Sequence, residues 1–156
     1  MARPAQAQTV SEYAAKAAFI YNVTRFSSLT HVHPVLRLCV FGRDPFDGAL
    51  DSLEGRSVGQ SKLTIAYPRS AKQALERCQI LFISASEEAS IGELTEAAGA
   101  AALLTISDIK GAARRGVMLE LALENKRIAF ECNCKAMRAA GIALNASVLR
   151  LARAVY

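Results

Sequence analysis

The residues whose types could carry chemistry are few: four cysteines, two histidines and a handful of acids at segment ends. Cys39 lies in the apolar run 36–41, and Cys78 opens the run 78–83. If these runs are neighbouring strands, geometry permits a disulfide between them, although four cysteines allow three pairings. Closing a loop of about 40 residues would stabilise the fold by on the order of 4 kcal/mol, through freedom removed from the unfolded chain. Cys132 and Cys134 differ. They stand two apart in Cys132-Asn133-Cys134, on one face if the segment is a strand, and a C-x-C ring is so tight that no obligatory bridge is expected. No C-x-x-C is present, and the histidines sit together in His31-Val32-His33-Pro34. That pattern reads as a polar loop rather than a zinc site, and no metal is expected.

Catalysis finds little support. The chain has no G-x-G-x-x-G after a strand, no P-loop, no G-x-S-x-G elbow and no H-E-x-x-H. A thiol oxidoreductase built on Cys132 and Cys134 would lack the C-x-x-C spacing that lowers a thiol pKa. Glu87 and Glu88 fall at a presumed helix start, where capping accounts for them. Asp108 is the best-placed acid, since ligands of open α/β sheets gather at strand carboxyl ends. Ser107-Asp108 also reads as the plain start of a loop. Neither an enzyme nor a cofactor is expected.

The elements that must position these groups follow from periodicity. Tyr13, Ala14, Ala17, Tyr21 and Thr24 recur at helical spacing, which predicts a helix over 11–26 with Ser11 as its N-cap. Strands are expected over 35–41, 62–67, 79–83 and 101–106. A short helix carries Phe46, Leu50 and Leu53, and another, starting at Ser84 or Ser86, carries Ile91, Leu94 and Ala98. Strands 117–123 and 127–131 flank Glu124-Asn125-Lys126 as a hairpin. A short helix follows over 134–140, and Asn145 caps a last helix striped by Val148, Leu151, Ala152 and Val155. The fold class is therefore α/β, a single domain with a mixed β-sheet, helices on both faces and a C-terminal hairpin.

Size and charge agree. The chain has 156 residues, 52% of them hydrophobic, with no apolar run of membrane-spanning length. The 19 Lys and Arg exceed the 14 Asp and Glu by five, mostly spread singly and without interleaved aromatics. Nucleic-acid binding is not expected, and the charge suits an anionic partner. Residues 1–10 read as a disordered stub. Their Ala5-Gln6-Ala7 is the small-x-small pattern cut by signal peptidases, which suggests the remnant of a secretory leader.

Six blocks in order resemble the YfiR-like periplasmic family. They are Glu12-Tyr13-Ala14-Ala15-Lys16-Ala17-Ala18-Phe19-Ile20-Tyr21-Asn22; Leu38-Cys39-Val40-Phe41-Gly42-Arg43-Asp44-Pro45-Phe46; Cys78-Gln79-Ile80-Leu81-Phe82-Ile83-Ser84; Leu104-Thr105-Ile106-Ser107-Asp108; Gly116-Val117-Met118 with Arg127-Ile128-Ala129-Phe130-Glu131-Cys132-Asn133; and Arg138-Ala139-Ala140-Gly141-Ile142 with Leu149-Arg150-Leu151-Ala152. The resemblance implies a secreted, non-enzymatic regulator over residues 11–156. Such a protein binds and represses the periplasmic part of a membrane-anchored, inner-membrane diguanylate cyclase, lowering cyclic-di-GMP and biofilm formation until an outer-membrane lipoprotein sequesters it. It also implies a homodimer and a disulfide at Cys39 and Cys78. The positions of a second family bridge are here Ala113 and Glu120, and Cys132 and Cys134 occur where relatives carry other residues. The family's C-terminal third is implicated in partner exchange, which places a partner-binding surface at Glu131, Cys134, Met137 and Ala139, joined by Phe26. Met suits such a surface through its flexible thioether, although core packing would also explain Met137 and Phe26. A second reading is a periplasmic small-ligand sensor, with its ligand near Asp108.

Overall fold

Along a strand, successive side chains point to opposite faces. In Leu36-Arg37-Leu38-Cys39-Val40 most of both sets are buried, so this strand must be covered on both sides. A computed structural model describes the backbone of residues 4–156 and the side chains of residues 12–30 and 32–156. It holds one eight-stranded sheet. In chain order its elements are α1 (Pro4–Arg25), β1 (Val35–Phe41), β2 (Ser57–Val58), β3 (Ser61–Ala66), α2 (Ala71–Arg77), β4 (Ile80–Ile83), α3 (Ile91–Ala100), β5 (Leu104–Ser107), β6 (Leu119–Glu124), β7 (Arg127–Cys132), α4 (Cys134–Ala139), α5 (Ala146–Leu149) and β8 (Ala154–Val155).

The sheet order is β2-β3-β1-β4-β5-β6-β7-β8. Strands β3, β1, β4, β5 and β6 run parallel, and β2, β7 and β8 extend the edges, with β6–β7 antiparallel. The expected α/β domain with a mixed sheet and a C-terminal hairpin is therefore present. Two buried clusters lie on opposite faces. One joins Ala17, Ile20 and Val23 of α1 to Leu36, Leu38, Ile80, Phe82, Leu104 and Ile106, with Met137 from α4. The other joins Ala74 of α2 and Ile91, Leu94 and Ala98 of α3 to Cys39, Leu81 and Ile83.

Local chemistry explains the turns. Asn125 and Lys126 both take positive φ, 49° and 64°, the two-residue loop that matches the twist of an antiparallel pair. Ser70 caps α2 by accepting from the Gln73 amide, and Asn133 caps α4 by accepting from the Ala136 amide.

Four expectations need correction. The first helix begins at Pro4, so Ser11 is not its cap, and residues 4–10, expected as a disordered stub, lie on its backbone; residues 1–3 lie outside the described residues. Cys78 belongs to no strand: it ends α2, whose Ala71–Arg77 span the periodicity did not reveal. The helix around Phe46, Leu50 and Leu53 reduces to turns and a 3-10 segment, Asp51–Leu53. The last helix stops at Leu149. Leu151 is 76% exposed rather than packed, and Ala154-Val155 pair with β7 as β8. Arg153 decides that outcome, because ion pairs to Glu124 and Glu131 and its amide's 2.7 Å bond to the Phe130 carbonyl draw the chain onto the sheet edge.

Candidate interaction surface

Parallel strands reverse their order between β1 and β4, and outside their carboxyl ends such sheets bind ligands. Here the protein fills that crevice itself. Gly42 follows β1 at φ 99°, where a β-carbon would sit 2.6 Å from Ser86 Oγ. The Arg43 amide donates to Ser86 Oγ at 2.9 Å, and Ser84 Oγ donates to the Arg43 carbonyl at 2.6 Å. Asp108, beyond β5, is likewise engaged. Its Oδ2 accepts from Tyr13 Oη at 2.7 Å and Lys16 Nζ at 2.9 Å, and Lys16, 3% exposed, also pairs with Glu12. Burial first, then the hydrogen bond to Asp108, holds the Tyr13 phenol well above its ordinary value. Asp108 thus anchors α1 to the sheet, which is its structural reading. Lys16 was legible: it shares the face of Tyr13, Ala17 and Ile20, where a buried ammonium requires an acid.

The loop after β5 is held by a buried acid. Glu120 of β6, 4% exposed, accepts from the Gly111 amide at 3.1 Å and the Ala113 amide at 2.9 Å. Ala113 and Glu120 are the positions expected to take the place of a second bridge, and a charge-assisted hydrogen bond now joins them. Cys39 and Cys78 are disulfide-bonded, with Cα atoms 6.1 Å apart and a sequence separation of 39. The bridge ties the middle of β1 to the end of α2, not strand to strand.

The structure separates the residues assigned to partner binding. Phe26 is 39% exposed at the end of α1, with the Arg25 guanidinium 4.8 Å above its ring. It borders a cleft of about 440 Å³ lined by Ser27, Ser28, Ala143, Leu144 and Asn145. Hydrogen bonds from the Asn145 amide to the Phe26 carbonyl and from the Ser28 amide to the Ala143 carbonyl build its floor. Ala139 is exposed on α4, and Cys134 is half-buried. Met137 is 3% exposed and packs in the core with Ile142 and Leu144. Glu131 lies apart from Phe26: it pairs with Arg153 and accepts from Tyr156 Oη at 2.5 Å. Reversing its charge would disturb β8 as well as any partner, so Phe26 is the cleaner probe. Arg153 and Tyr156 escaped sequence reasoning because nothing in periodicity places a chain end beside β7.

Cys132 and Cys134 are free thiols, Cys132 buried, with their sulfurs 3.1 Å apart. Burial first, then its contact with Cys134, pushes the Cys132 thiol up. Among the described residues no three His, Cys, Asp or Glu side chains gather into one cluster. The side chain of His31 lies outside them. No described helix is long and apolar enough to cross a membrane.

Comparison with known proteins follows the fold. A conserved domain protein from Vibrio cholerae O1 biovar El Tor str. N16961 matches with a TM-score of 0.60 at 12% identity, over 92% of this chain and 60% of that one. A Streptococcus pneumoniae ABC domain in complex with L-Trp matches with a TM-score of 0.59 at 9% identity, again over 92% and 60%. The chain thus spans about 60% of the length of each, and at these identities the likeness is one of fold alone. No curated protein matches the chain. A family model described as YfiR/HmsC-like covers residues 13–153, which takes in α1 from Tyr13 and strands β1 to β7. This chain belongs to the YfiR/HmsC-like family.

Proposed function

We propose that the protein is a periplasmic regulator that binds and represses the periplasmic part of an inner-membrane diguanylate cyclase and is withdrawn by an outer-membrane lipoprotein. The family match over residues 13–153 carries this reading. The Cys39–Cys78 disulfide supports an oxidising compartment. The occupied crevice at β1 and β4 and the engaged Asp108 favour a binding protein over an enzyme or a small-ligand sensor. Partner contact falls on the cleft beside Phe26 and on exposed Ala139, with Cys134 at its margin. Met137 acts from beneath by seating α4, and Glu131 by holding β8.

A homodimer belongs to the same proposal, and light scattering on the isolated protein at rising concentration tests it. The direct test of function is calorimetry with the purified periplasmic portion of an inner-membrane diguanylate cyclase from the same organism. Wild type is expected to bind. Phe26→Asp is expected to keep its melting temperature and lose at least about tenfold in affinity. A folded wild type that binds neither cyclase nor lipoprotein would sink the reading.

A further inference from the structure

Three sulfur atoms meet where β7 runs into α4. Cys132 closes the strand, Cys134 opens the helix, and Met137 stands three residues further on. Cys132 Sγ lies 3.1 Å from Cys134 Sγ and 3.4 Å from Met137 Sδ. Among the described residues no hydrogen bond joins these sulfurs to oxygen or nitrogen. Cys132 and Met137 are buried, whereas Cys134 is half-exposed and opens the cluster to solvent.

The backbone carrying the two thiols is fixed on both sides. Asn133 Nδ2 donates to the Ala113 carbonyl at 2.7 Å while its Oδ1 caps α4. The Asn133 amide donates to the Met118 carbonyl at 2.8 Å, and the Cys134 amide to the Tyr156 carbonyl at 2.8 Å. The donors are therefore largely placed before any ligand arrives, which lowers the cost of binding.

Thiolate and thioether sulfurs are soft ligands and select Cu(I), whereas zinc sites draw on thiolate, imidazole and carboxylate. We propose that Cys132, Cys134 and Met137 form a Cu(I)-binding site. On binding, each thiol sulfur forms a bond to the ion and releases its proton to solvent. No electron moves, and the copper enters and stays as Cu(I). A metal–thiolate bond of about 2.3 Å sets the sulfurs of a trigonal group about 4 Å apart. Each close pair must therefore open by less than about 1 Å, which Met137 with its three rotatable bonds and Cys134 with its open side can accommodate.

The test uses the isolated protein with its Cys39–Cys78 bridge intact. It is kept anaerobic with ascorbate, which leaves disulfides unreduced, and titrated with Cu(I) against bathocuproine disulfonate. Transfer is read from the loss of the chelator's colour. Expected is uptake of a single Cu(I), with both free thiols becoming unreactive to a thiol reagent. Cys134→Ser should abolish transfer at the same chelator excess. Met137→Leu, which conserves volume, should weaken it by at least about tenfold without lowering the melting temperature. The proposal is overturned if the isolated protein has no free thiols or if wild type takes no copper. It is equally overturned if Cys134→Ser still takes copper or if Met137→Leu binds as tightly as wild type.

Discussion

Near β1, Cys39 and Cys78 join two elements across 39 residues, and α1 is locked down through Lys16, Tyr13 and Asp108. At the far edge, Cys132 and Cys134 share one strand-to-helix corner as free thiols, and β8 hangs on Arg153 at the surface. The difference lies in what each contact constrains. A bridge over the long loop removes about 4 kcal/mol of unfolded-chain freedom, whereas closing the C-x-C ring would remove less than about 2 and meet strain. A buried ammonium must keep its acid, while an exposed ion pair is screened by water. One region is thus tied across long stretches of sequence, whereas at the other β8 depends on surface ion pairs.

The strongest way to break this contrast is to substitute cysteines at each site. Replacing Cys39 and Cys78 by Ala should cost about 4 kcal/mol in urea denaturation, whereas Cys134→Ser should cost under about 1. Equal losses would erase the distinction. The charge clusters come next. Lys16→Ala strands Asp108 and should cost about 3 kcal/mol. Arg153→Ala, at a side chain about one-third exposed, should cost under about 1 kcal/mol and chiefly speed hydrogen exchange at Val155.

Tyr13→Phe gives the smallest effect, about 1 kcal/mol at neutral pH for the lost hydrogen bond. It also carries a sign. The folded protein holds the Tyr13 proton more tightly than the unfolded chain does, so its stabilisation is full below the ordinary value of 10.0 and fades as pH rises past it. Wild type should therefore lose stability above about pH 10 more steeply than Tyr13→Phe. Parallel profiles would remove Tyr13 from the account.

The inner sheet was legible because strands buried on both faces must be continuously apolar, as Ile80-Leu81-Phe82-Ile83 is. The hairpin was legible from Asn125 and the alternation around it. The chain end was not. Val148, Leu151, Ala152 and Val155 keep helical spacing, yet Arg153 and the β7 edge outweigh that local pattern. For the surface, sequence named Phe26 and Ala139, which are exposed, alongside Met137, which is core. Residue type alone does not distinguish a methionine offered to a partner from one filling a gap beneath a short helix.

The central claim is repression of cyclic-di-GMP synthesis by this protein, and cellular cyclic-di-GMP measures it most directly. Deleting the gene should raise the nucleotide level, exported wild type should restore it, and exported Phe26→Asp, though folded and bridged, should not. An unchanged level after deletion, in cells that express their diguanylate cyclases, would contradict the account.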